Sequence, residues 1–432
     1  MIVCLFLKSN IETIIKYLIL VGLIVLAFFK ESKAQFVLSA EIRPRTEVRN
    51  GFKTPTNEGF DAAVFTEQRS RLTIDYRQEK YQMKLAFQDV RFWGETTQIF
   101  KREIGTTFLS EAWGEVYFSG NVSLKAGRQI ITYDNERILG ALEWAQQGRR
   151  HDAVLLKYEN AEQASKLHLG FSFNGDQDIP EPAFLQSKGA NFYSVSGSYK
   201  TMQFAWYHKD FTGGKISALA LNNGFQNADS TVSNKQTIGF LLAKKVGKIM
   251  LETENYYQTG SLNKKHVNAW LAGINATVNT KLTPLTIGYQ FISGESNASG
   301  LTAFNPDFGT NHAHNGFMDY FFVGPSNGNV GVQDFYLKTR FKMGKGFLQG
   351  NAHHFLTGAE QFTNAGDVLN RSMGTEIDLV YSRKIADITF HLGFSELFAT
   401  DTMLTLRGGN KSSNNWAWMM ISFNPTLFSS KN

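Results

Sequence analysis

Charged and apolar residues alternate from Glu41 to Arg49 and again from Glu67 to Arg77. The first run puts Glu41, Arg43, Arg45, Glu47 and Arg49 on one parity, with Ile42, Pro44, Thr46 and Val48 between them. The second sets Glu67, Arg69, Arg71, Asp75 and Arg77 opposite Leu72, Ile74 and Tyr76. Side chains alternate faces along a strand, so each run has one charged wall and one apolar wall. A row of guanidinium groups pairs with carboxylates in a fork geometry, and the chemistry on offer is recognition of anions such as acidic sugars. The same interleaving also suits a structural ladder in which Arg and Glu neutralise one another across adjacent strands. The two readings are compatible.

Other reactive residue types are sparser. His312 and His314 share a long expected loop with Asp307 and Asp319, where solvated polar residues are the simpler reading than a metal site. His353 and His354 are adjacent, so on a strand they face opposite sides. Ser372, Ser382, His353 and His391 fall on neighbouring late segments, which leaves room for a Ser–His contact but shows no assembled nucleophile, base and orienting group. No phosphate-binding loop or dinucleotide fingerprint is present. The expectation is a protein that is not an enzyme and uses no cofactor and no metal.

The elements that position these residues read as strands throughout. Short connections fall at Gln78–Lys80, Gly120–Asn121, Asn160–Ser165, Tyr199–Thr201, Val246–Gly247, Thr280–Lys281, Gly344–Gly346 and Lys384–Ala386. Longer polar stretches lie near 50–60, 94–106, 130–150, 174–188, 211–233, 259–264, 294–330, 357–371 and 398–412. Counting the segments between them predicts about 18 strands, with tight turns at one end and long loops at the other. Four stripes are apolar on one parity: Leu167 to Phe173, Leu285 to Phe291, Phe335 to Phe341 and Ile388 to Phe394. A soluble sheet would bury such stripes, whereas a membrane barrel turns them to lipid and its charges to a wet lumen.

The N-terminus adds to the turn rhythm and strand count in favour of the barrel. Leu18 to Phe29 is an apolar run preceded by Lys8 and Lys16 and followed by Ser32-Lys33-Ala34, the pattern of a cleavable secretory signal over residues 1–34. The only cysteine, Cys4, lies within it. Residues 1–34 carry four Lys and two acidic residues, leaving 40 basic and 36 acidic groups, net +4, which makes no case for nucleic acid. High aromatic content (13%), 38 Gly and only 8 Pro fit a barrel better than a multidomain soluble protein. The fold expected is all-β: a transmembrane antiparallel β-barrel over residues 35–432, with short periplasmic turns and long extracellular loops. Its place is the outer membrane of a Gram-negative bacterium. Trp416 to Phe423 reads as the terminal strand, with Phe428 as a second candidate end.

In sequence order, Glu41-Ile-Arg-Pro-Arg-Thr-Glu47, Gln68-Arg-Ser-Arg-Leu72, Phe87 to Gly94, Glu111-Ala-Trp113, Gly127-Arg-Gln129, Tyr133, Arg137 to Gly140 and Trp144 resemble the opening strands of the alginate export family. Phe304 to His312 and Gly316 to Tyr320 resemble a later loop of the same family. The resemblance implies an outer-membrane barrel whose arginine-rich pore conducts an anionic polysaccharide outward. Carried over by position, Arg43, Arg45, Arg69, Arg71, Arg91, Arg128 and Arg137 belong to the pore or its mouth. From parity, Lys125, Lys157, Lys338, Arg340 and Glu376 join the inward row. Arg128 shares a face with Val122, Leu124 and Ala126, so either a bulge at Gly127 swings it inward or it stands above the membrane.

The function expected is passive diffusion of anionic solutes, with an acidic polysaccharide such as alginate as the polymer candidate. A weakly selective nutrient porin and a surface-binding barrel are the alternatives. Expected partners are outer-membrane lipid, the anionic solute or polysaccharide, the barrel-assembly machinery and periplasmic export partners.

Overall fold

The computed structural model describes residues 34–94, 106–174, 199–227, 229, 231–296, 301–322, 330–410 and 413–430. The expected secretory signal, Ala34 apart, lies outside the described residues, as does most of the connection expected at 174–188. Among the described residues twenty strands form one sheet. Setting aside the two-residue Lys265–His266 and the four-residue Thr426–Ser429 leaves eighteen long strands, from Gln35–Asn50 to Asn414–Phe423. Consecutive strands pair antiparallel. The first also pairs with the last, Arg45 opposite Met420 and Arg49 opposite Trp416, which closes the barrel. Trp416 Nε1 reinforces the seam by donating to Glu47 Oε2 at 2.8 Å. Beyond Pro425 the closing strand resumes as Thr426–Ser429 against the start of the first strand, and the ring of Phe428 lies 6.0 Å from that of Phe36.

Exposure fixes which wall faces out. Leu169, Phe171 and Phe173 are 44%, 51% and 54% exposed, while His168 and Ser172 between them are 7% and 1%. The other three apolar stripes point outward in the same sense, and the charged parity of the first two strands points inward. A barrel in lipid needs this polarity, since its hydrogen-bonded wall leaves no edge and its apolar face meets acyl chains.

The inner wall differs from a simple wet tube. Met202, Phe204, Trp206, Leu219, Leu221, Leu271, Ile292, Phe355, Trp416 and Trp418 point inward and pack in one cluster with Ile131, Ile138, Leu139, Phe304, Phe308, Met318 and Tyr320. The second group comes from connections that enter the lumen and bring an apolar core with them. This corrects one segment of the sequence reading. The stretch 211–233 holds no long loop: the chain turns at Thr212–Gly213 and runs up the wall as Gly214–Gln226. The expected turn at Tyr199–Thr201 is instead the start of the strand Thr201–Phe211. Leu219 and Leu221 face the filled lumen while Ala218 and Ala220 face outward, so the apolar stripe lies on the wrong parity for a lipid-facing pattern.

Several inward aromatic rings lie flat over a glycine on the neighbouring strand. Gly170 faces Phe204, Gly288 faces Tyr336 and Gly393 faces Trp418 in register. A methyl group at any of these glycines would collide with the ring. Gly120, in contrast, has open space where its Cβ would stand. Overpacking of this kind costs about 1–3 kcal/mol. Gly393→Ala is therefore expected to lower the urea midpoint of the folded barrel in detergent micelles, with Gly120→Ala unchanged. Equal midpoints for the two variants would show that the ring-over-glycine contact contributes nothing.

Candidate functional site

The connection over residues 130–150 leaves the strand Val122–Gln129 and folds into the lumen against the first two strands. Its irregular backbone presents carbonyl groups that a buried segment must satisfy. The wall arginines supply the donors. Arg43 donates to the carbonyl oxygens of Glu143 (2.7 Å) and Ala145 (3.2 Å) and to the Gln146 side chain. Arg45 donates to the Trp144 carbonyl at 2.7 Å, lies 4.3 Å over the Trp144 ring, and pairs with Glu47 at 2.7 Å. Arg69 grips Glu41 with two bonds of 2.7 and 2.8 Å and reaches Glu143 at 2.8 Å. Arg71 binds Gln88 at 2.8 Å and lies 3.4 Å from Glu143. Arg43, Arg45 and Arg69 are buried. Burial raises the Glu143 carboxyl, but the cations of Arg69, Arg71 and Arg150 outweigh it and hold the group at about 2.

The segment 301–322 enters the lumen from the opposite side and meets the first loop directly. Gly140 N donates to the Phe308 carbonyl at 2.8 Å, Phe308 N to Ile138 at 3.1 Å and Thr310 N to Glu136 at 2.9 Å. The two stretches that carry the family resemblance are thus bonded to each other across the lumen. His312, expected in a solvated loop, is instead buried: it stacks on Trp144 with ring centroids 4.4 Å apart and pairs with Asp319 at 2.6 Å. Asp307 is held by Lys235 at 2.5 Å, and Met318 N donates to Glu376 at 2.8 Å. Arg137 is buried between Glu254 (3.3 Å), Gln290 (2.9 Å) and Asn315 (3.3 Å). Together the two loops form a partition fixed to strands on both sides of the barrel.

The structure therefore brings Arg43, Arg45, Arg69, Arg71 and Arg137 into the lumen but occupies each of them. It places the other two arginines elsewhere. Arg91 sits on the outward parity with Met83 and Phe87 and pairs with Asp89 at 2.6 Å. Arg128 keeps the strand register through Gly127, points outward and pairs with Asp152 at 2.7 Å. Both are corrections to the pore assignment: alternation is unbroken at each, and no bulge turns either one inward.

Three inward cations on the far wall and on the fifth strand are only loosely engaged by protein. Lys338 reaches only the His314 carbonyl, at 3.5 Å, and lies 4.8 Å over Tyr336. Arg340 is exposed to the lumen with its guanidinium 4.7 Å over Phe347. Lys125 lies 3.7 Å over Trp113. Among the described residues none of the three has a carboxylate at ion-pair distance. Lys157 is different, being paired with Glu115 at 2.9 Å. Sequence reading missed the acceptors Glu143 and Gln146 and the amides Gln290 and Asn315, because a loop's docking partners leave no local pattern. Ser382 Oγ does meet His391 Nδ1 at 2.9 Å, but among the described residues no carboxylate bonds to the other imidazole nitrogen.

Comparison with known proteins places this geometry. Residues 35–368 match a family model described as alginate export. No curated protein matches the sequence. The fold is similar to a BenF-like porin from Pseudomonas fluorescens Pf-5, with TM-score 0.62, 11% identity, and 91% of this chain and 99% of that one covered. It is also similar to Pseudomonas aeruginosa OccK2 (OpdF) in complex with glucuronate, with TM-score 0.58, 12% identity, and 91% and 97% covered. A third similar structure is the outer membrane protein OpdK of Pseudomonas aeruginosa, with TM-score 0.58, 9% identity, and 90% and 99% covered.

A hydrogen bond made by a charged group contributes about 1.5–3 kcal/mol. That is enough to undock a loop held by a handful of such contacts. The double variant Arg43→Ala/Arg69→Ala is expected to raise single-channel conductance and current noise in a planar bilayer; unchanged current would mean the loop is held elsewhere. Acid should act in the same direction. The folded-state value of Glu143 lies below its ordinary carboxylate value of 4.5, so its contribution is complete above about 4.5 and is lost as pH falls towards about 2. Current noise should rise across that window, and Glu143→Gln should show the raised noise already at pH 7. A noise level independent of both pH and this substitution would show that Glu143 does not hold the loop.

Proposed function

The chain belongs to the alginate export family, and on that premise we propose that it is an outer-membrane channel passing small anionic solutes by passive diffusion. Residues 1–34 act as its cleaved export signal in this reading. The observation that carries it is the distribution of inward charge. Arg43, Arg45, Arg69, Arg71 and Arg137 shape the constriction by fixing two loops inside the barrel, and their charge is satisfied there. Lys338, Arg340 and Lys125 point inward and, among the described residues, have no carboxylate at ion-pair distance. Fixed cations along a water-filled path lower the barrier for anions and raise it for cations. No covalent step and no energy coupling enter this account, and Arg91 and Arg128 have no part in it.

The size of the solute follows from the partition. The space beneath it, against the wall that carries Lys338, has a volume of about 270 Å³. That accommodates a sugar acid or a similar small molecule, which favours single anions over a threaded polymer such as alginate. The glucuronate bound by the similar OccK2 structure is a ligand of suitable size and charge to try first.

A unit charge about 8 Å from a passing ion contributes about 0.5 kcal/mol in water, roughly a twofold bias per residue. In a salt gradient the reversal potential should report anion preference. Neutralising Lys338 and Arg340 together should reduce the permeability ratio by about fourfold on that arithmetic. Glucuronate should interrupt the current at lower uronate concentration than polyuronate. A reversal potential near zero would make the chain a weakly selective nutrient porin, and a stronger block by polyuronate would return the polymer to first place.

A further inference from the structure

The cavity under the partition carries opposite unpaired charges on two of its walls. Lys338 stands on the strand Val332–Met343, its ammonium group 4.8 Å over the Tyr336 ring and with the His314 carbonyl as its only hydrogen-bond partner among the described residues. On the strand Ile249–Leu262 stands Glu252, whose single side-chain partner is Asn275 Nδ2 at a long 3.4 Å. Among the described residues Glu252 has no cation at ion-pair distance. Its neighbour two residues on is the opposite case: Glu254 accepts from Asn135 at 2.8 Å, from Gln290 at 2.6 Å and from Arg137. Of the cavity's charged lining, Arg137 pairs with Glu254, and Asp334 accepts from Asn315 and pairs with His353, which leaves Lys338 and Glu252 without an ion pair among the described residues.

The register gives their separation. Glu252 faces Asn275, Asn275 faces Gly288, and Gly288 faces Tyr336. Three ladder steps of roughly 4.8 Å, with Lys338 two residues beyond Tyr336 on its strand, put Glu252 and Lys338 about 16 Å apart along the wall. Two long side chains reaching inward reduce that gap to the span of one small molecule. Gly288 adds no side chain to this stretch of wall, and the Tyr336 ring lies across it as a floor. The roof includes His314, whose Nε2 is buried without a hydrogen-bond partner among the described residues. Buried polar groups are ordinarily paired, so a lysine, a glutamate and an imidazole nitrogen left open around one cavity point to a ligand that satisfies them.

We propose that this cavity is a subsite for small zwitterions, holding the solute's carboxylate at Lys338 and its ammonium group at Glu252. The inference rests on the channel reading above and narrows it: anions are admitted, and among molecules of equal size those that also carry an ammonium group dwell longest. Without Glu252 the cavity would simply extend the anion path.

The matched probes are 4-aminobutyrate, butyrate and n-butylammonium, which share a chain length and differ in which charged ends they carry. Dissociation constants for the folded protein in detergent, read by calorimetry, do not depend on conduction. A favourable charged contact of modest strength corresponds to about tenfold in affinity. The expected order is 4-aminobutyrate tighter than butyrate by about that factor, with n-butylammonium weakest. Glu252→Gln should erase the difference between 4-aminobutyrate and butyrate, and Lys338→Met should weaken both. Equal binding of 4-aminobutyrate and butyrate to the native protein, no binding of any probe, or indifference to Glu252→Gln would overturn the proposal. An absence of anion-selective current in the same preparation would instead overturn the channel reading, whatever the calorimetry shows.

Discussion

Everything in the lumen depends on the grip of the first two strands on the carbonyl groups of residues 143–146. A barrel of eighteen strands is wide enough for an open aqueous channel. Here the opening is set by what is fastened inside the wall. Arg43, Arg45 and Arg69 are buried under the loop they hold, and Glu41, Glu47, Glu67 and Glu143 balance them. Buried guanidinium groups carry a large desolvation cost unless every proton finds an acceptor. The loop backbone supplies those acceptors, and the wall supplies the donors the loop needs. Each is the other's condition for being buried.

The second loop extends the same logic across the barrel. It bonds to the first through Ile138, Gly140 and Phe308, is braced internally by the His312–Asp319 pair, and anchors to distant strands through Asp307 on Lys235 and Met318 on Glu376. The apolar cluster around Trp144, Trp416 and Trp418 then excludes water from the arginine side. The lumen is thereby divided into a packed sector and an open sector. In the function proposed, cations in the first are structural and those in the second are available to solute.

Much of this was legible in the sequence. Strict alternation in Leu167–Phe173 and Ile388–Phe394 revealed both strand and lipid-facing side, because period two admits no other regular structure. The same rule failed for Gly214–Gln226, where the apolar parity faces a filled lumen and the outward parity is alanine. Parity also held the correct answer for Arg128, which shares a face with Leu124, and for Arg91, which shares one with Phe87. Family resemblance pulled both into the pore against it. Which arginines would be occupied was not readable at all. Their partners are carbonyl groups about a hundred residues away, and a carbonyl has no sequence signature. Glu252 and Lys338 were invisible as a pair for the same reason, since their relation exists only through the register of the intervening strands.

The division of the lumen into sealed and open sectors is tested most directly by chemical accessibility. The sequence has a single cysteine, Cys4, so residues 35–432 offer a background free of thiols. Cysteine placed at Arg340 and at Gln146 in separate variants would be reacted with an anionic methanethiosulfonate while channel current is recorded. Both positions face the lumen, but Gln146 is only 1% exposed. Rapid modification and loss of current are expected at position 340, with position 146 slower by more than about tenfold because its reaction waits on local opening. Comparable rates at the two positions would show that the loop does not seal the arginines, and the proposed division of labour among the lumen cations would fall with it.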